Sequence, residues 1–192
     1  MGRELELKFR ATETQQQALL SHFSDFVTIR METTYFDTPT GALSARHVTL
    51  RLRKENELCV CTMKTPLPDG SRGEWECEAE DISRGLETLL TLGAPEDLCR
   101  LALSGVEPVC GAHFTRQAAR VDTGEGSAEL ALDRGIVLGG NRQIPLCEIE
   151  LEHKDGSEAA TLTMARLLAV RHGLTAEPKS KFRRALDLAK GE

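Results

Sequence analysis

The sequence predicts a mainly β (α+β) fold, an eight-stranded antiparallel closed barrel, or tunnel, with helices packed outside. Three observations lead there. Short segments alternate apolar and charged residues, as strands with one buried face do. Neighbouring segments are joined by short turns, which favours antiparallel pairing. The charged residues of a strand also tend to share one sign, which an ordinary wet sheet face does not require.

The elements follow in order. Residues 3–10 alternate as Glu4-Leu-Glu6-Leu-Lys8-Phe9, a strand with Leu5, Leu7 and Phe9 on one face. Thr12-Glu-Thr-Gln15 is a capping-box pattern, so a helix follows to about Phe23. Residues 29–37 are extended and end in turn chemistry at Asp37-Thr-Pro-Thr-Gly41. Residues 47–54 and 57–65 form a hairpin around Glu55-Asn56. Asp69-Gly70 marks a turn before a strand over 72–79. A helix covers 83–92, with Ser83 near its start and Gly93 as its stop, and a short helix covers 95–103. Strands recur at 111–122, 127–133 and 143–153, separated by glycines at 124, 126, 135, 139 and 140. A long helix spans 157–172, capped by Asp155 or Ser157 and ended by Gly173. A last short helix follows Lys181.

The charges are sorted strand by strand. Arg51 and Arg53 share a face, as do Glu74, Glu76 and Glu78, Glu129 and Asp133, and Arg116 and Arg120. Glu148, Glu150 and Glu152 stand opposite Cys147, Ile149 and Leu151. Like charges two apart on a strand lie ~7 Å apart and repel by ~0.6 kcal/mol in water, and several times that at an effective dielectric near 20. A sheet with one wet side explains alternation, but not whole rows of one sign. Charged faces turned inward explain both. Carboxylates there suit hard divalent ions such as Mg²⁺ or Mn²⁺, and Arg and Lys suit phosphate oxygens.

Composition bounds the rest. The 192 residues form one domain, 1–192, and the formal net charge is −6. That charge argues against nucleic acid as a primary partner. No apolar run approaches the ~20 residues that span a bilayer, and Glu4, Glu6 and Lys8 interrupt any leader-like stretch. A cytoplasmic protein without a membrane partner is expected. The six cysteines lack C-x-x-C spacing and read as small buried hydrophobes. The five histidines lack ligand spacing.

Seven segments, in order, resemble the CYTH family of triphosphate tunnel metalloenzymes. They are Glu4-x-Glu6-x-Lys8, Tyr35-Phe-Asp-Thr38, Leu50-Arg-Leu-Arg53, Arg72-Gly-Glu-Trp-Glu76, Ala131-Leu-Asp-Arg-Gly135, Cys147-Glu-Ile-Glu-Leu-Glu152 and Ser180-Lys181. Lys64 and Arg116 fit further basic positions. The resemblance implies the eight-stranded tunnel and metal-dependent hydrolysis of triphosphates. It implies Glu4, Glu6, Glu148 and Glu150 as metal ligands, with Glu74, Glu76 and Asp133 serving a second ion, Mg²⁺ or Mn²⁺ in each case. It implies Lys8, Arg51, Arg53, Lys64, Arg116 and Lys181 as phosphate-binding residues, with Arg72, Arg120 and Arg184 as weaker candidates. Glu4, Lys8 and Glu150 carry the catalytic assignment. Glu152 has the right parity but lies towards the rim, Tyr35 either reaches the lumen or packs in the sheet, and Trp75 has the parity of the outer face.

The expected reaction is hydrolysis of the terminal phosphoanhydride of inorganic tripolyphosphate to pyrophosphate and phosphate. Aromatic residues are scarce and only Tyr35 is expected at the lumen, which leaves little wall for a base or thiazolium ring. The alternatives are a class IV-type adenylate cyclase, a thiamine or nucleoside triphosphatase, and a polyphosphate-binding module without turnover. The sequence does not determine the oligomeric state.

Overall fold

A computed structural model describes residues 2–3, 5–67 and 72–191. Among these residues, five α-helices accompany one antiparallel sheet. Its strands are β1 (Gly2–Arg3), β2 (Glu6–Arg10), β3 (Val27–Asp37), β4 (Thr49–Glu55), β5 (Leu58–Pro66), β6 (Arg72–Glu78), β7 (Glu107–Asp122), β8 (Gly126–Gly139), β9 (Arg142–Gly156) and β10 (Thr175–Ala176). The helices are α1 (Glu13–His22), α2 (Ile82–Thr91), α3 (Glu96–Leu103), α4 (Glu158–His172) and α5 (Lys181–Lys190).

The strand order is β1-β6-β5-β4-β3-β7-β8-β9-β2-β10. This corrects the expected eight-stranded closed barrel: among the described residues no hydrogen-bonded ladder joins the two ends of the sheet. The N-terminal segment nevertheless meets both ends. Gly2 and Arg3 pair with Glu74 and Gly73 of β6, while β2 pairs with β9, Lys8 opposite Glu150.

The outer faces bury the apolar rows as the alternation requires. Leu50, Cys61, Met63 and Trp75 pack beneath α2 and α3 with Leu86, Leu89 and Leu98. Phe9, Leu130, Leu132, Ile149 and Leu151 pack beneath α1 and α4 with Leu19, Ala165 and Leu168. Trp75 is thus a core residue of the outer face.

Local signals set most boundaries. Thr12 and Gln15 form the capping box at the start of α1. Ser157 caps α4, and Gly173 ends it at φ 62°. Asp81, not Ser83, caps α2 by accepting from the Arg84 amide. Asn56 takes φ 55° in the β4–β5 hairpin.

The expected strand break at Gly135 does not occur, because β8 runs through it; the strand ends as expected at Gly139, before the turn at Gly140. Both glycines also mark close approach. A Cβ at Gly135 would lie 2.1 Å from the His113 carbonyl oxygen, and one at Gly139 would lie 2.3 Å from the Ala185 carbonyl oxygen of α5. Gly139 therefore lets α5 lie directly against β8. Met31, Ala112, Phe114, Val137 and Leu146 form the apolar seat for Ala185.

Candidate active site

The concave side of the sheet encloses a cavity of about 620 Å³, lined by residues from every strand from β2 to β9 and by the start of α5. Its size is that of a small-molecule site. Strand parity explains the lining, because alternate residues of each strand point one way. Eight acidic and eight basic side chains among the described residues face this space.

The candidate residues fall into three groups. Glu6, Lys8, Tyr35, Arg51, Arg53, Lys64, Arg72, Glu74, Glu76, Arg116, Glu150, Glu152 and Lys181 line the cavity. Asp133 and Glu148 are fully buried beside Glu150, and carboxylate oxygens of the three lie within 4.8 Å of one another. Arg120 lies apart: it is two-thirds exposed and pairs with Asp155. Glu4 lies outside the described residues.

Three cations fill the space around the buried carboxylates. Lys181 Nζ lies 2.8 Å from Asp133 Oδ2 and 2.7 Å from Glu150 Oε1, and it also touches Glu148. Arg116 donates to both oxygens of Asp133, at 2.8 and 2.7 Å, and to Glu150. Arg184 donates to Glu148, so it belongs to the cluster and is not a solvated helix residue. Ser180 caps α5 by accepting from the Arg183 amide, which places Lys181 at the first turn, directed at the carboxylates.

Burial pushes the Glu150 carboxyl up, but Lys181 and Arg116 outweigh it and hold the group well below the usual carboxylate range. Burial dominates at Glu148 and raises it, and Lys181 and Arg184 offset only part of that rise. Burial alone would lower the Lys181 ammonium, but Asp133, Glu150 and Glu148 raise it above its ordinary value. Lys181 is charged at neutral pH.

The arginines of β4 and β6 are under-used. The Nε atoms of Arg51, Arg53 and Arg72 are buried and make no hydrogen bond. Arg51 approaches Glu74 only to 3.9 Å, with Lys64 at 3.3 Å from the same carboxylate. Burial and the neighbouring Arg51 lower the Arg53 guanidinium. Buried donors without acceptors are costly, and an anion in this cavity would supply acceptors.

The chain matches the CYTH domain family over residues 2–186. It belongs to the CYTH family. It is 26% identical over 164 residues to an inorganic triphosphatase of Haemophilus influenzae, an alignment covering 82% of this chain and 47% of that protein. The chain therefore spans about half the length of that curated relative. Among solved structures, a Hippeastrum protein first assigned as an adenylyl cyclase and described as having dominant triphosphatase activity superposes with a TM-score of 0.68 at 22% identity, covering 98% of this chain and 96% of that one. A Pyrococcus horikoshii protein superposes with a TM-score of 0.66 at 23% identity, covering 96% and 99%. A Bacillus halodurans protein assigned to the adenylate cyclases superposes at 0.64 with 20% identity, covering 94% and 96%. At these identities the structural likenesses establish the fold alone.

Several residues of this CYTH site escaped the sequence reading. Gln16 of α1 is buried and donates to the backbone carbonyls of Asp133 (3.0 Å) and Glu148 (2.9 Å), fixing two carboxylate-bearing strands from outside. Its position in a Gln15-Gln16-Gln17 run hides it. Glu177 is buried and accepts from Arg10 Nε at 2.7 Å, with Arg184 4.0 Å away. The expectation that only Tyr35 reaches the lumen is also corrected, because Phe114 and Phe182 line the cavity too. Apolar residues on a largely charged face carry no sign pattern that would reveal them.

Those rings are already covered. Tyr35 packs on Phe182 with centroids 5.0 Å apart. Lys181 and Arg116 lie over the Phe114 ring at 5.1 and 5.9 Å. The Asp37 carboxylate is structural: it accepts from the amides of Thr38, Leu43 and Ser44 and holds the loop after β3.

The donor set fits a hard divalent ion. Asp133, Glu148 and Glu150 offer only carboxylate oxygens, which Mg²⁺ and Mn²⁺ prefer. Glu6, Glu74 and Glu76 offer further oxygens across the same cavity.

Proposed function

We propose that this chain is a metal-dependent triphosphatase that hydrolyses the terminal phosphoanhydride of inorganic tripolyphosphate, giving pyrophosphate and phosphate. One observation carries the reading. Three half-buried arginines, Arg51, Arg53 and Arg72, whose buried Nε donors make no hydrogen bond, share an enclosed cavity with a buried tri-carboxylate cluster. A polyanion would satisfy the first group, and divalent cations the second.

Charge balance supports the pairing. Among the described residues, equal numbers of acidic and basic side chains face the cavity, so a triphosphate entering alone would leave it strongly negative. Cations entering with it restore balance. Asp133, Glu148 and Glu150 would hold one ion, and Glu6, Glu74 and Glu76 would hold a second. A bound divalent ion neutralises phosphate oxygens and favours ionisation of a water nucleophile.

The protein's own groups do the rest. Arg51, Arg53, Arg72 and Lys64 bind and orient non-bridging oxygens of the chain. Lys8, opposite Glu150 on the neighbouring strand, offers a further donor on the carboxylate side. Glu150 is held ionised by Lys181 and Arg116, so it stays a ligand at neutral pH. Arg116, engaged with Asp133 and Glu150, orients these carboxylates, and its Nη1, 3.9 Å from Glu129, completes its place in the cavity lining.

A substrate without an organic group is favoured because the aromatic rings at the cavity are covered by each other or by cations. The same cavity is also lined by Ile29, Met31, Leu58 and Val60. That apolar wall supports a second reading, in which an organic triphosphate such as ATP or thiamine triphosphate is hydrolysed, or ATP is cyclised. Offering tripolyphosphate, ATP and thiamine triphosphate with Mg²⁺ or Mn²⁺ separates the readings. Phosphate release fastest from tripolyphosphate, absent without metal and lost in Glu150→Gln, is expected. Faster turnover of an organic triphosphate, or cyclic AMP as the product, would overturn the preferred substrate.

A further inference from the structure

Lys181 stands where the carboxylate cluster would hold its cation. Its Nζ is in contact with all three acidic side chains, 2.8 Å from Asp133 and 2.7 Å from Glu150. A divalent ion such as Mg²⁺ takes carboxylate oxygens at about 2.0–2.1 Å. Oxygens within 4.8 Å of one another leave one central position for either cation. The cluster is also closed electrically: three carboxylates face Lys181, Arg116 and Arg184. A divalent ion added to this set would introduce net positive charge into a buried site.

We propose that Lys181 is a resident cation that competes with the divalent ion for Asp133, Glu148 and Glu150, and that it leaves them when metal enters. This rests on the triphosphatase reading only in taking these carboxylates as metal ligands. The side chain belongs to the first turn of α5, so its departure acts on a helix. Lys181 and Arg184 tie α5 to the carboxylates of β8 and β9. Metal binding removes the Lys181 tie and weakens the hold on Arg184. The freed ammonium is positioned for the cavity, because Lys181 and its neighbours Ser180 and Phe182 line it. An incoming phosphate chain gives it a new partner. Lys181 therefore couples metal entry to anion binding: substrate draws the ammonium away, and metal binds more tightly when substrate is present.

Calorimetric titration of Mn²⁺ into wild type, Lys181→Gln and Asp133→Asn, without substrate, tests the competition. Lys181→Gln is expected to bind Mn²⁺ at least tenfold more tightly than wild type, and Asp133→Asn to lose the binding. Equal or weaker affinity in Lys181→Gln, with binding still sensitive to Asp133→Asn, overturns the inference and leaves the metal-site reading standing. Mn²⁺ binding insensitive to Asp133→Asn overturns both. Hydrogen exchange of wild type gives an answer even if Lys181→Gln fails to fold. Saturating Mn²⁺ is expected to speed exchange at α5 amides, and added non-hydrolysable triphosphate analogue to slow it again. Unchanged α5 exchange at saturating Mn²⁺ contradicts the displacement.

Discussion

At the scale of single residues, the site is a set of opposed charges whose neighbours fix their ionisation. Arg53 shows how far this goes: burial and Arg51 both disfavour its charge, Glu55 supports it, and its Nε remains unpartnered. Such a group gains most from an arriving anion. Arg53→Ala is expected to raise the KM for tripolyphosphate about tenfold or more, the scale of one charged hydrogen bond at ~1.5–3 kcal/mol. A smaller effect on urea-unfolding stability should accompany it. An unchanged KM would remove Arg53 from the phosphate-binding set.

Lys181 has the opposite balance, with all its partners present in the protein. Removing one member of a buried ion cluster while its partners stay typically costs 3–5 kcal/mol. The six cysteines are free thiols. Burial pushes the Cys61 and Cys110 thiols to about 12, so neither is ionised at neutral pH, consistent with their reading as packing residues.

At the scale of elements, β8 and α5 carry the arrangement. Gly139 lets α5 approach the sheet closely enough for Lys181 and Arg184 to reach the carboxylates. Gly139→Ala would force Cβ to within 2.3 Å of the Ala185 carbonyl oxygen and push α5 away. Overpacking of this kind costs ~1–3 kcal/mol. Lower thermal stability together with reduced phosphate release is expected, although Gly139 touches no candidate ligand. Normal activity in a destabilised Gly139→Ala protein would show that α5 position does not matter to the site.

Much of this level could be read from sequence. Alternation assigned Glu74, Glu76, Arg51, Arg53, Glu148 and Glu150 to one face and Trp75, Leu50 and Ile149 to the other, because strand parity is local. The cap at Thr12 and the stop at Gly173 were local as well. Contacts between distant segments were not legible. Nothing around Gln16 indicates that its amide reaches the carbonyls of residues 133 and 148. Gly135 resembled a turn residue, although it lies mid-strand and admits another backbone, and nothing local shows that Gly139, at the end of β8, also admits α5. Phe114 shares a face with Arg116, and no alternation rule distinguishes an inward apolar residue.

At the scale of the molecule, the sheet curls so that all strands from β2 to β9 face one cavity. Its two ladder ends meet the same N-terminal segment without a closing ladder among the described residues. No helix among them is long and apolar enough to cross a membrane. The interior charges should also shape stability against pH. Glu150 is depressed in the folded state, so its contribution is present above the unfolded value of about 4.3 and is lost as pH falls through its lower folded value. Glu148 is raised and opposes this, its contribution disappearing as pH rises through its folded value. Lys181 is raised, so its contribution is complete below about 10.4 and is lost at higher pH. Urea midpoints measured from pH 2 to pH 7 are expected to fall more steeply on the acid side in wild type than in Glu150→Gln. Parallel curves would contradict the assignment of that acid-side loss to Glu150.

The inward-facing charges are tested most directly by a crystal structure of the protein with Mn²⁺ and a non-hydrolysable tripolyphosphate analogue. The expected result is phosphate oxygens on Arg51, Arg53 and Arg72, Mn²⁺ on oxygens of Asp133, Glu148 and Glu150, and the analogue enclosed by the sheet. An analogue bound on the outer surface, or a cavity from which both the anion and Mn²⁺ are absent, would contradict it.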